Sequence, residues 1–145
     1  MEDLNELDVK NLTIDGFTTP CPITVLATDS ISSVIVKLGD NAIRHLPVVN
    51  DDNSAIGVIT QRDIATIKSF AYNADFQVKD LMSEEPICVV EGTNLMEAAF
   101  TMSSKKLGSL IVTDKSGDVS GIFTSTDALN ALVEVLRGEV LETDL

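Results

Sequence analysis

Gly57-Val58-Ile59-Thr60-Gln61-Arg62-Asp63 and Gly121-Ile122-Phe123-Thr124-Ser125-Thr126-Asp127 are two copies of one seven-residue stretch, 64 residues apart. Each copy is Gly, two apolar residues, Thr, two spacers and Asp, and a helical pattern follows the Asp. This is a strand running into a helix N-terminus, with Thr at the N-cap and an acid in the first turn. Two readings share that geometry. In the plainer one, Thr-x-x-Asp is a capping box: the Thr oxygen accepts from the third helical N–H and the acid reaches back to the cap's own N–H. In the other, free N–H groups at the helix start hold a phosphate. The carboxylate, which would repel phosphate, then takes sugar hydroxyls, as the acid of a dinucleotide fold does. The surroundings of the motif decide between them.

The surroundings repeat as well. Pro22-Ile23-Thr24-Val25 is a β-like run, and Asp29 or Ser30 caps a helix with Ile31, Val34, Ile35 and Leu38 on one face. Leu46-Pro47-Val48-Val49 is a strand, residues 50–54 a polar turn, and Ile56 to Ile59 the return strand. Thr60 opens a helix with Ile64, Ile67 and Ala71 inward. The second copy runs in the same order from Pro86-Ile87-Cys88-Val89. Asn94 with Glu97 makes a capping-box start, Leu95, Ala98, Ala99 and Met102 face inward, and Leu110-Ile111-Val112 is the strand. Val119 to Phe123 returns, and a closing helix turns Leu129, Leu132, Val133 and Leu136 inward. Met82, Met96 and Met102 read as core. Matching Val49 to Val112 implies a one-residue deletion in the second copy. Matching Val9-Lys10-Asn11-Leu12 to Val78-Lys79-Asp80-Leu81 implies five extra residues in the first.

The predicted fold class is therefore α+β: two β-α-β-β-α repeats packed sheet to sheet with pseudo-twofold symmetry. The division falls at 1–76, an acidic segment with a short helix and the first repeat, and 77–145, the second repeat with an acidic tail. One copy of about 60 residues is marginal alone, so the two bury their sheets together and bring the repeated turns into two related clefts.

Composition narrows the function. The 145 residues carry a formal net charge of −13, and more than half of it comes from residues 1–16 and 134–145. That balance argues against duplex nucleic acid, which needs basic residues to release counterions, and against anionic membranes. With 4% aromatics and no Trp, stacking platforms for single strands are scarce. Cys21, Cys88 and the single His45 form no metal spacing or disulfide framework. There is no signal-peptide pattern and no apolar run of membrane-spanning length, so a cytoplasmic protein is expected. No nucleophile–base pair and no Walker-type loop is present, which argues against an enzyme.

From about Val9 to Val135 the chain resembles a pair of cystathionine β-synthase (CBS) domains, a Bateman module. The residues carrying the resemblance are Pro22 to Val25, Arg44-His45-Leu46-Pro47-Val48-Val49 and Gly57 to Asp63. In the second copy they are Leu81-Met82, Pro86 to Val89, Leu95 to Ala99, Leu110 to Val112 and Gly121 to Asp127. The resemblance implies a stand-alone regulatory module with no required cofactor that binds AMP, ADP or ATP, less often S-adenosylmethionine or NAD. The Asp takes the ribose, the Thr and nearby cations take phosphate, and apolar strand residues such as Val58 and Ile122 sandwich the base. One site would join Thr60, Arg62 and Asp63 to Met82 through Ile87 and to Gly108 and Ser109. The other would join Thr124 and Asp127 to Thr18, Thr19, Pro22, Ile23, Arg44 and His45. The cations are uneven, so the sites should differ. The resemblance also implies a homodimer stacked through helices around Ile31–Leu38 and Leu95–Met102, and a protein target that reads ligand occupancy. The alternative is a dimerising interaction module whose sites bind nothing.

Overall fold

The computed structural model describes residues 9–20, 23–41, 44–70 and 76–138. Its elements recur at a constant spacing of 64 residues. The first set is β1 (Thr19–Pro20), β2 (Val25–Leu26), α1 (Ile31–Asn41), β3 (His45–Val49), β4 (Ala55–Thr60) and α2 (Gln61–Phe70). A short helix α3 (Val78–Leu81) follows. The second set is β5 (Ser83–Glu84), β6 (Cys88–Val90), α4 (Leu95–Lys105), β7 (Ser109–Thr113), β8 (Val119–Thr124) and α5 (Ser125–Arg137). The molecule is α+β, and its described residues form two four-stranded sheets ordered β1-β8-β7-β6 and β2-β3-β4-β5.

The chain divides into two compact units. Among the described residues, one holds 9–20, 88–116 and 120–138, and the other holds 23–87 with 117–119. The division at 76/77 is one of sequence repeats, and the compact units are drawn differently. The segment leading into each repeat belongs to the unit built from the other. β1 pairs antiparallel with β8, Thr19 opposite Ile122, while β5 pairs antiparallel with β4, Ser83 opposite Val58.

Several backbone bonds of one unit recur in the other with the numbers moved by 64. Ile14 N–H donates to Thr93 O at 2.9 Å, and Val78 N–H to Asp29 O at 2.9 Å. Leu95 N–H donates to Leu12 O at 2.8 Å, and Ile31 N–H to Phe76 O at 3.0 Å. Thr13 bridges Asn94 as Ser30 bridges Gln77. In the strands, Val25 lies opposite Val48 and Val89 opposite Val112. This corrects both sequence registers. Val48, not Val49, corresponds to Val112, and Ile14, not Val9, corresponds to Val78. Neither the one-residue deletion nor the five-residue excess exists.

Burial follows that register. In the unit of residues 23–87, Val25, Ile31, Val34, Leu38, Leu46, Val48, Ile59, Ile64 and Val78 form one core. Val78 reaches it from the lead-in segment and is 0% exposed, as is Ile14 in the other unit. Ser30 caps α1 by accepting from Ser33 N–H at 3.2 Å, whereas Asp29 accepts from Leu26 N–H. Asn94 caps α4 through Glu97 N–H at 3.1 Å. No reciprocal bond from Glu97 is found among the described residues. Ala98 and Met102 face inward as expected, with Leu95 and Ala99 half-buried. The expected strand at Pro22–Val25 starts at Val25 and that at Pro86–Val89 at Cys88. The expected N-terminal helix lies largely outside the described residues; Gly16 closes a 3-10 turn, Ile14–Gly16.

The closing helix is a correction. Leu129, Leu132, Val133 and Leu136 point to solvent, and Asp127 and Ala131 are the buried residues of α5. Met96 is likewise exposed rather than core, as is Phe100 one turn along α4. Met102 is buried and Met82 packs at the margin of the core. Ile64 is inward as expected; the side chain of Ile67 and all of Ala71 lie outside the described residues.

Candidate functional site

Each repeated turn begins at a glycine over which another chain segment crosses. A Cβ on Gly57 would sit 2.7 Å from Met82 Sδ and 2.8 Å from Ser83 O. A Cβ on Gly121 would sit 2.7 Å from Thr18 Cγ2 and 2.9 Å from Thr19 O. The glycine therefore admits the lead-in strand against β4 or β8. The sequence carried this signal, a glycine repeated at the head of both motifs, but its contact partner lies dozens of residues away in the chain.

Three residues after each glycine, the Thr and Asp close the expected capping box. Thr60 N–H donates to Asp63 Oδ2 at 2.9 Å and Asp63 N–H to Thr60 Oγ1 at 3.2 Å. Thr124 and Asp127 make the same two bonds at the same two lengths. The plainer reading of the motif thus holds for both copies. The carboxylates differ beyond it. Thr19 Oγ1 donates to Asp127 at 3.1 Å from Oδ1 and 3.3 Å from Oδ2, and Asp127 is only 7% exposed. Asp63 is half-buried, and its Oδ1 accepts no hydrogen bond from any described residue.

Around Thr60 and Asp63 the same unit carries Arg44, His45 and Arg62. His45 lies opposite Thr60 across β3 and β4, and Arg44 O accepts from Gln61 N–H at 3.0 Å. Arg44 and Arg62 are exposed. Burial, and then the Arg44 charge, push His45 below its ordinary value, while Asp63 pulls the other way. Within their own unit Arg44 and His45 lie beside Thr60 along the backbone. Gly108 and Ser109 lie beside Thr124 in the same way: Gly108 O accepts from Ser125 N–H at 3.0 Å, the counterpart of the Arg44 bond. Neither Gly108 nor Ser109 is charged, and Thr126 stands where the first copy has Arg62.

The remaining candidates fall as follows. Thr18 Oγ1 donates to Ile14 O at 2.8 Å and so is committed to its own segment. Ile23 packs at the margin of its unit's core, Val58 and Ile87 are half-buried, and Ile122 is buried. Pro22 lies outside the described residues. Among the described residues no group of three or more His, Cys, Asp or Glu side chains is placed to hold a metal ion, and no helix is long and apolar enough to cross a membrane.

The family model for the CBS domain matches residues 12–69 and again 78–134. A CBS domain-containing protein of Dictyostelium discoideum is 32% identical over 125 residues, covering 79% of this chain and 86% of its own length. CBSX2 of Arabidopsis thaliana, solved in complex with AMP, superposes with a TM-score of 0.73 at 27% identity, covering 86% of this chain and 98% of that one. The CBS domain pair of protein MJ0100, solved with 5′-methylthioadenosine and S-adenosyl-L-methionine, gives 0.74 at 26% identity, covering 83% and 99%. Matches to enzymes are regions of larger proteins: the chain spans 21% of the inosine-5′-monophosphate dehydrogenase of Methanocaldococcus jannaschii. Two repeats in one register, a glycine-headed Thr-x-x-Asp turn in each, and a family match over both lead to one conclusion: the chain belongs to the CBS domain family, as a tandem pair.

Proposed function

We propose that this chain is a regulatory module of the cytoplasm that binds an adenosine nucleotide (AMP, ADP or ATP) at its Thr-x-x-Asp turns and passes occupancy to a protein target through a conformational change. S-adenosylmethionine and NAD are the less favoured ligands, no cofactor is required, and the module itself catalyses nothing. The observation that carries the reading is an intact Thr-x-x-Asp turn in each repeat of a CBS pair whose structural neighbours were solved with AMP or with S-adenosylmethionine and methylthioadenosine. A carboxylate suits ribose hydroxyls, and Arg44 and Arg62 near the first turn suit a phosphate. To signal, the ligand must bind one conformation better than another. The exposed faces of α4 and α5 support a homodimer formed through helices.

A thermal-shift series with AMP, ADP, ATP, NAD and S-adenosylmethionine tests this. A ligand that binds only the folded state adds about 2.7 kcal/mol at a hundredfold excess over its Kd. The expected outcome is a dose-dependent rise with one adenosine compound, and which of Asp63→Ala and Asp127→Ala removes it identifies the occupied turn. A second reading, a dimerising interaction module without ligands, is favoured by the solvent-facing Leu129, Leu132, Val133 and Leu136 and by the satisfied Asp127 carboxylate. No shift with any compound in a folded dimer would select it.

A further inference from the structure

The two turns share a backbone and differ in what their acids have left to offer. We infer that the turn at Thr60–Asp63 is the one that accepts nucleotide, and that Thr19 holds the turn at Thr124–Asp127 closed. The inference rests on the nucleotide reading above and assigns it to one of the two turns.

A ribose presents two adjacent hydroxyls, and a carboxylate that binds them must accept two O–H bonds. Asp127 has little capacity for this. Its Oδ2 takes Thr124 N–H at 2.9 Å, Thr19 Oγ1 lies within hydrogen-bond distance of both oxygens, and the side chain is 7% exposed. Thr19 is held there by the strand: it lies opposite Ile122 in the β1–β8 pair, with Gly121 beneath the same segment. A ribose reaching Asp127 has to displace a bond that the fold itself positions.

At the first turn the residue in Thr19's place is Ser83, opposite Val58 in the β4–β5 pair. Ser83 is exposed, as Thr19 is, but unlike Thr19 it makes no bond to the acid of its turn among the described residues. Ser lacks the second branch that restricts the Thr rotamer. Asp63 therefore keeps Oδ1 open, and the half-buried turn leaves it within reach of a ligand. The charge distribution points the same way. Arg44, Arg62 and His45 belong to the first turn's unit, whereas Gly108, Thr126 and Ser109 replace them at the second. Glu84 and Glu85 on the lead-in segment oppose a phosphate at the first turn, so adenosine is a necessary probe beside AMP.

Isothermal titration of the full chain with AMP, adenosine and ATP tests the assignment. The expected result is one AMP per chain in the wild type. Asp63→Asn weakens it at least tenfold, and Thr19→Ala, which releases Asp127, adds a second site. Should Asp63→Asn fail to fold, the doubly exposed Arg44→Ala/Arg62→Ala variant replaces it: AMP binding falls at least tenfold while adenosine binding stays within threefold. A single AMP site that survives Asp63→Asn, an AMP affinity unmoved by the double arginine variant, or two equal sites in the wild type overturns the assignment and leaves the nucleotide reading standing. A folded wild type that binds none of the three compounds overturns both.

Discussion

Gly57 and Gly121 are chosen by a crossing rather than by backbone angles. At both, a methyl group would press on backbone oxygen, at 2.8 Å from Ser83 O and 2.9 Å from Thr19 O, which no side-chain rotation relieves. Gly57→Ala and Gly121→Ala should each lower stability in urea unfolding by about 1–3 kcal/mol, the usual cost of overpacking. The entropic gain from removing a glycine, below about 1 kcal/mol, is too small to offset it. Gly39 is the internal contrast. It lies in α1, where an added methyl would have nothing within 4 Å, so Gly39→Ala should raise stability by about 0.5–1 kcal/mol through helix propensity. His45 gives a prediction in pH. Burial is the main cause of its lowered value, so the unfolded chain holds the proton more tightly. Its contribution is full above the ordinary histidine value of about 6.5 and is lost as pH falls from there through the lower folded value. Urea midpoints measured from pH 7 to pH 5 should fall less steeply in His45→Gln than in wild type; an identical slope would assign the loss to other groups.

Helix α5 explains why an apolar pattern can be legible and still be read onto the wrong face. Leu129, Leu132, Val133 and Leu136 do form one stripe, as their spacing requires. The phase of the helix is set elsewhere, by the capping box at its first turn. With Asp127 buried by its bonds to Thr124 and Thr19, Ala131 one turn on must also face in. The leucine stripe is then on the opposite side, at 100° per residue. Periodicity establishes that the face exists, while its direction depends on a hydrogen bond to Thr19, 108 residues before Asp127 in the chain. In α1 and α4 the inward face is the expected one: Ile31, Val34 and Leu38, and Ala98 and Met102, are buried. With Met96 and Phe100 exposed on α4 as well, these side chains are the natural dimer face under the proposed function. Leu132→Glu should convert a dimer to a monomer by light scattering at micromolar concentration while leaving the thermal unfolding cooperative. A wild-type chain that is already monomeric there would remove α5 as the dimer face.

Across the whole chain, the repeat is visible in sequence but its register is not. Local likeness of Val9-Lys10 to Val78-Lys79 is outweighed by a set of backbone bonds that all recur at one spacing, and Ile14 occupies the buried place of Val78. Sequence similarity weighs letters, whereas register is fixed by which side chain is buried. The exchange of lead-in segments is anticipated only by the family resemblance, which groups Thr18 and Thr19 with Thr124 and Met82 with Thr60; periodicity misses it, because it pairs Thr19 with Ile122 and Ser83 with Val58 rather than neighbours along the chain. The same exchange carries a prediction for folding. A fragment of residues 1–75 lacks β5 and Val78, so the β4 edge and a 0% exposed position of its core are left open. A fragment of 76–145 lacks β1, Ile14 and Leu12, which are likewise buried or edge-forming in its unit. Burying one such aliphatic side chain is worth about 1.5–3 kcal/mol, a large share for a domain of about 70 residues. Each fragment alone should show poorly dispersed amide resonances, and an equimolar mixture should recover the dispersed spectrum of the intact chain. A fragment extended to residues 21–87 regains β5 and Val78 and should be more protected from amide exchange than 21–75. If 1–75 is already folded and protected by itself, the lead-in segments are accessories and the sequence repeats, not the exchanged units, are what folds.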